Sequence, residues 1–143
     1  MTGVQTCALP IYIPEITLLE GISKEGKAEK RSTISTGYGV RFSITGHDLH
    51  GLRMGPDGRL YFSVGDRGSH VVSQEGKVFD YPEEGAIYRC EPDGKNLEIF
   101  ATGLRNPQEL AFDDLGNLIT VDNNCDHGDA ARLVYVVEGS DSG

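Results

Sequence analysis

No run in this chain is long and apolar enough to cross a bilayer as a helix. Positive charge is scarce: 13 Lys and Arg stand against 22 Asp and Glu, for a formal net charge of -9. That balance argues against nucleic acid or an anionic membrane as partner. Many of the acids sit in Asp-Gly and Asp-Leu-Gly turns, so the charge reads first as solubility and turn chemistry. Cysteine is sparse too. Cys7, Cys90 and Cys125 lie far apart, without the spacing of a zinc site or a disulfide framework. Cys90 alternates like a strand residue in Ala86–Cys90 and reads as an inert core or face thiol, whereas Cys125 falls in a polar loop. No Cys-x-x-Cys-His occurs, and no stretch carries a helical period.

Residues 1–11 have no basic leader and too short an apolar core for a signal peptide. They read as the translation of a common sequencing-adapter oligonucleotide. The remainder, 12–143, is then expected to be a partial domain truncated at both ends.

What is present is short strands and tight turns, with 19 glycines to make them. Strands are expected over Tyr12–Leu19, Tyr38–Ile44, Gly85–Cys90, Leu97–Ala101 and Leu133–Val137, with a polar connector over Ser23–Lys30 and an irregular insertion over Arg67–Glu84. Two stretches share a layout, Thr45–Asp66 and Thr102–Asp122. In each, Thr-Gly opens a polar loop, a strand follows (Leu52, Met54; Leu110, Phe112), a turn carries Gly58 or Gly116, and a second strand runs into acidic residues. That repeat predicts an all-β fold, a β-propeller fragment of two to three blades. Consecutive blades would bring the loops at His47–His50, Asp66–His70, Leu104–Gln108 and Asp122–Asp129 to one face, with a site-like inventory of imidazole, carboxylate, guanidinium and amide groups.

These residues resemble the soluble quinoprotein glucose/sorbosone dehydrogenases. One signature reads His47, then Met54-Gly55-Pro56-Asp57, then Gly65-Asp66-Arg67-Gly68; the other reads Arg105-Asn106-Pro107-Gln108-Glu109-Leu110-Ala111-Phe112. The resemblance covers about residues 38–143. It is closer still to propeller dehydrogenase-like proteins of planctomycete-type bacteria, often fused to a c-type haem domain, which share Gly46–Leu52 and the Asp122-Asn123-Asn124 loop. It implies a six-bladed propeller, secreted or periplasmic, that oxidises a sugar or polyol with pyrroloquinoline quinone (PQQ) and calcium and passes electrons to a haem domain or cytochrome. His47 would be the general base, Asp66 would fix its tautomer, Arg105 would face the quinone oxygens, and Asn106 and Gln108 would bind the cofactor. The fragment alone is expected to be inactive.

Three departures stand out. Asn124-Cys125 occupy the place of a Gly-Pro pair whose backbone carbonyls hold calcium in that family. Ser23–Lys27 replaces an Asp-rich loop found in the planctomycete-type group. The basic residues that neutralise the quinone's carboxylates belong to later blades of the family. Asp122-x-Asn124-x-Asp126 opens like an EF-hand, but Gly128 and Leu133 break that pattern. Two rival readings come from other classes. A calcium-dependent lactonase or esterase propeller would use Asp122, Asn123, Asn124 and Asp126 as side-chain ligands, and a non-catalytic propeller would bind carbohydrate or protein. A zinc pair at His47-x-x-His50 is the weakest alternative.

Overall fold

The computed structural model describes residues 7–40, 46–123, 128 and 130–143. Those residues are all-β, with no helix among them, in adjacent antiparallel sheets that do not close into a barrel. The architecture is that of a β-propeller fragment.

The first sheet holds β1 (Cys7–Ala8), β2 (Ile11–Tyr12), β3 (Glu15–Glu20) and β4 (Lys30–Thr36), with β1 and β2 along one edge of β3 and β4 along the other. The strand expected over Tyr12–Leu19 is therefore two. The chain reverses at Ile13-Pro14, where proline has no N–H to give a ladder, and β2 pairs back on β3. β4 escaped the sequence reading because Ile34 is its single large apolar residue, and that residue is buried. Of the expected strand at Tyr38–Ile44, Tyr38 makes an isolated bridge to Ser69, and residues 41–44 lie outside those described.

The second sheet begins with β5 (Leu49–Met54) and β6 (Leu60–Val64). The chain then leaves it for a hairpin, β7 (Ser69–Val72) and β8 (Val78–Tyr81), and returns through β9 (Gly85–Cys90) and β10 (Glu98–Leu104). Spatial order is β10-β9-β6-β5, an up-and-down four-stranded blade. The insertion expected to be irregular is thus a regular hairpin, because Val71 and Phe79 alternate inward and are buried while His70 and Asp80 pair on the exposed side. The third sheet runs β11 (Pro107–Phe112), β12 (Leu118–Asp122) and β13 (Arg132–Val136).

The repeat seen in the sequence is a repeat of hydrogen bonding. Leu49 pairs with Val64 and Met54 with Leu60, just as Pro107 pairs with Asp122 and Phe112 with Leu118. Each inner strand carries a bulge at the same place, between His50 and Arg53 or between Pro107 and Leu110. Each hairpin closes through a turn in which Gly58 or Gly116 adopts a positive φ and donates to the carbonyl three residues earlier. In this register His47 corresponds to Arg105 and Asp48 to Asn106.

Packing follows from alternation along β6, which is buried throughout. Phe62 and Tyr88 stack at 5.6 Å, with Tyr38 edge-on to both at 5.0 and 5.3 Å. Such aromatic pairs contribute about 0.5–1.5 kcal/mol each beyond the area they bury. Burial pushes the Tyr38 and Tyr88 phenols up, and their hydroxyls meet Ser35 and Ser69 at 2.5 Å. Burial likewise pushes the Cys90 thiol up to about 12, as expected of an inert core thiol. On the other face Tyr61, Ile87 and Phe100 pack against Leu110, Phe112 and Leu118 of the third sheet. The second sheet is therefore covered on both sides. The third is covered on one, and Val121, Leu133 and Tyr135 stand 51%, 76% and 58% exposed on its outer face.

Candidate active site

Two kinds of connection converge at one end of the sheets: the loops entering β5 and β11, and the loops leaving β6 and β12. Their backbones are tied together. Gly65 N–H donates to the Asp48 carbonyl at 3.0 Å, and Asp66 N–H donates across to the Arg105 carbonyl at 2.6 Å. Position 65 must be glycine for this approach, since a Cβ there would lie 2.7 Å from the His47 carbonyl oxygen and 3.0 Å from Asn106 Oδ1.

Within that frame His47 Nδ1 lies 2.7 Å from Asp66 Oδ1, and Arg105 Nε lies 3.8 Å from Asp66 Oδ2. His47 is largely sheltered, its side chain 15% exposed. An imidazole whose Nδ1–H is held by a carboxylate keeps the lone pair of Nε2 free, which is the arrangement of an oriented general base. Asn106 is buried, and its Oδ1 has no hydrogen-bond partner among the described residues. His47, Asn106, Gln108 and Asn123 line one cleft of about 400 Å³, and a second of about 500 Å³ continues past Asp66, Arg105, Glu84 and Arg132. Asp122 and Asn123 border both.

Asp122 ends β12 with its carboxylate fully buried. Oδ1 accepts the Asn106 N–H at 2.6 Å, both oxygens lie 3.1 Å from the Arg105 N–H, and Oδ2 accepts from Arg132 Nη2 at 2.8 Å. Asp48, at the Asn106 position of the other repeat, is also fully buried; Oδ1 accepts the Val40 N–H at 2.9 Å, and Oδ2 has no partner among the described residues.

The structure thus gathers His47, Asp66, Arg105, Asn106, Gln108 and Asp122 in one region. Asn124, Cys125 and Asp126, the expected calcium ligands, lie outside the described residues. The zinc alternative gains nothing: His47 Nδ1 is engaged by Asp66, His50 Nε2 by the Gly46 carbonyl, and no group of three His, Cys, Asp or Glu suited to a metal occurs among the described residues. Sequence reasoning missed Asp48, Arg132 and Glu84, whose carboxylate accepts the Gly103 N–H at 2.8 Å. Asp48 was legible in principle, because it occupies the Asn106 position of the repeat. Arg132 and Glu84 carry no local signal, since pairing of the sheets alone brings them to the cleft.

Among curated proteins the chain is similar to quinoprotein glucose dehydrogenase B of Acinetobacter calcoaceticus, 28% identical over 123 aligned residues that cover 68% of this chain and 25% of that protein. It therefore spans about a quarter of the length of the curated relative it matches. The profile of a domain of unknown function, DUF7133, matches residues 2–141, and the chain belongs to that family.

Proposed function

We propose that this chain is part of a propeller dehydrogenase that oxidises a sugar or polyol hydroxyl with a bound quinone, PQQ. The observation that carries the proposal is the convergence of His47, Asp66 and Arg105 from two successive repeats, with His47 Nδ1 at 2.7 Å and Arg105 Nε at 3.8 Å from one carboxylate. Similarity to the Acinetobacter quinoprotein supports the same reading.

Arg105, Asn106 and Gln108 suit the carbonyl oxygens of such a quinone, and the cations for its carboxylates would come from later blades. Arg105 would supply a cation from the adjoining cleft, Asn106 and Gln108 would supply amide groups, and Asn106 Oδ1, without a hydrogen-bond partner among the described residues, leaves buried polar capacity for a ligand or its water. When bound, the quinone would supply the acceptor for the hydride of the alcohol carbon. His47 Nε2 would take the hydroxyl proton, Asp66 would hold Nδ1–H and stabilise the imidazolium that results, and Arg105 would stabilise negative charge developing on the acceptor. Export to the periplasm or exterior, and a c-type haem domain or cytochrome as electron acceptor, belong to the same proposal. So does calcium held by the backbone carbonyls of Asn124 and Cys125. The lactonase alternative draws less support, since the Asp122 carboxylate it would use is engaged by two backbone N–H groups and a guanidinium.

Titration of the full-length protein with PQQ, with and without calcium, tests the proposal. Saturable, calcium-dependent binding is expected. No binding at either calcium level would overturn the dehydrogenase reading and turn attention to lactone hydrolysis.

A further inference from the structure

We infer that Asp122 is a positioning residue: its carboxylate, held from outside by Arg132, fixes the backbone at Arg105-Asn106 and so sets how both side chains meet the cleft. The inference rests on the proposed quinone site for its functional half and on geometry alone for its structural half.

Asp122 is the last residue of β12 and pairs with Pro107 in the β11–β12 ladder. Proline at 107 has no N–H, so the ladder is interrupted on that side just where the chain turns down from Leu104. The two N–H groups before it, on Arg105 and Asn106, point instead at the Asp122 carboxylate, at 3.1 and 2.6 Å. In the preceding repeat Val64 stands at the Asp122 position, opposite Leu49. There the corresponding loop is pinned by Gly65 N–H on the Asp48 carbonyl and by Asp48 Oδ1 on the Val40 N–H. The acid at 122 is thus a substitution that one repeat has and the other lacks, and it appears where a proline removes a donor.

Full burial of a carboxylate is tolerated only when it is neutralised and hydrogen-bonded. Arg132, the first residue of β13 and directly paired with Asp122, meets both conditions, giving Nη2 to Oδ2 at 2.8 Å and Nη1 to the Ser142 carbonyl at 2.7 Å. The carbonyl of Arg105 in turn accepts Asp66 N–H at 2.6 Å, so the same dipeptide that Asp122 holds also places the acid that faces His47. Moving the Arg105 backbone would therefore shift both the guanidinium and the carboxylate partner of the base.

The test compares Asp122→Asn with wild type and with Asp113→Asn, an exposed turn acid of the same sheet bonded to Leu115 and Asn117. Amide hydrogen exchange at Arg105 and Asn106 is read in the ligand-free full-length protein, and PQQ affinity is read by titration. Asp122→Asn is expected to speed exchange at both amides by about tenfold while Asp113→Asn leaves them unchanged, as loss of one charge-assisted hydrogen bond requires. Affinity for PQQ is expected to fall by about tenfold, and Arg132→Lys is expected to keep most of the affinity, since it retains the cation. Unchanged exchange at Arg105 and Asn106 would overturn the inference. Faster exchange with unchanged PQQ affinity would overturn its functional half. A wild-type protein that binds no PQQ would sink the quinone reading, and the exchange comparison would still decide the structural half.

Discussion

The second and third sheets are one backbone unit used twice, with the same strand pairing, the same bulge and the same glycine turn, yet their loops hold opposite chemistry. The first unit brings His47 in front of its strand and Asp66 behind it; the second brings Arg105 in front and Asp122 behind. In the first the acid lies beyond the strand end, 37% exposed, and faces an imidazole. In the second it lies two residues earlier, as the last residue of β12, fully buried, and faces backbone N–H groups. A shift of two residues in the placement of a carboxylate separates a group available for proton chemistry from one consumed in holding a loop.

The units also differ in cover. Every residue of β6 is buried, between aromatic packing on one side and the third sheet on the other. The matching residues of β12 and β13, Ile119, Val121, Leu133 and Tyr135, leave a large apolar face open. Phe62→Ala in the 143-residue chain is accordingly expected to lower stability by about 3–5 kcal/mol, measured by urea unfolding. A loss below about 1 kcal/mol would mean that the Tyr38, Phe62 and Tyr88 cluster does not organise the second sheet.

A smaller effect should separate the two acids by function. Asp66→Asn is expected to cut the proposed turnover of the full-length protein by about 10- to 100-fold, because an amide can present the wrong partner to His47 Nδ1 and carries no charge to stabilise the imidazolium. An unchanged rate across pH would make Asp66 a turn residue and erase the contrast with Asp122. The smallest effect belongs to the open face: Leu133→Ala in the 143-residue chain should change stability by no more than about 0.5 kcal/mol, since that side chain is 76% exposed. A cost comparable to that of Phe62→Ala would show that self-association covers the face.

The sequence disclosed the repeat, and with it the fold, because strand alternation and turn glycines are local signals that recur at matching intervals. It disclosed the hairpin ends of β9, β10 and β13 to within a few residues for the same reason. It hid β4, whose only large apolar residue is Ile34, and the hairpin of β7 and β8, whose short strands alternate over four residues each. The gathering of His47, Asp66, Arg105 and Asn106 in one region was legible through their joint spacing. The work of Asp122 was not. Its type and position suit a ligand as well as an anchor, and only the orientation of the Arg105 and Asn106 N–H groups distinguishes them.

The proposed site is built across two repeats, with His47 as the base of the oxidation. The most direct measurement is turnover and PQQ affinity of the full-length protein with His47→Ala. Turnover is expected to fall by at least about 100-fold, the scale of a lost general base, with PQQ affinity within about twofold of wild type. Retained turnover would contradict His47 as the base.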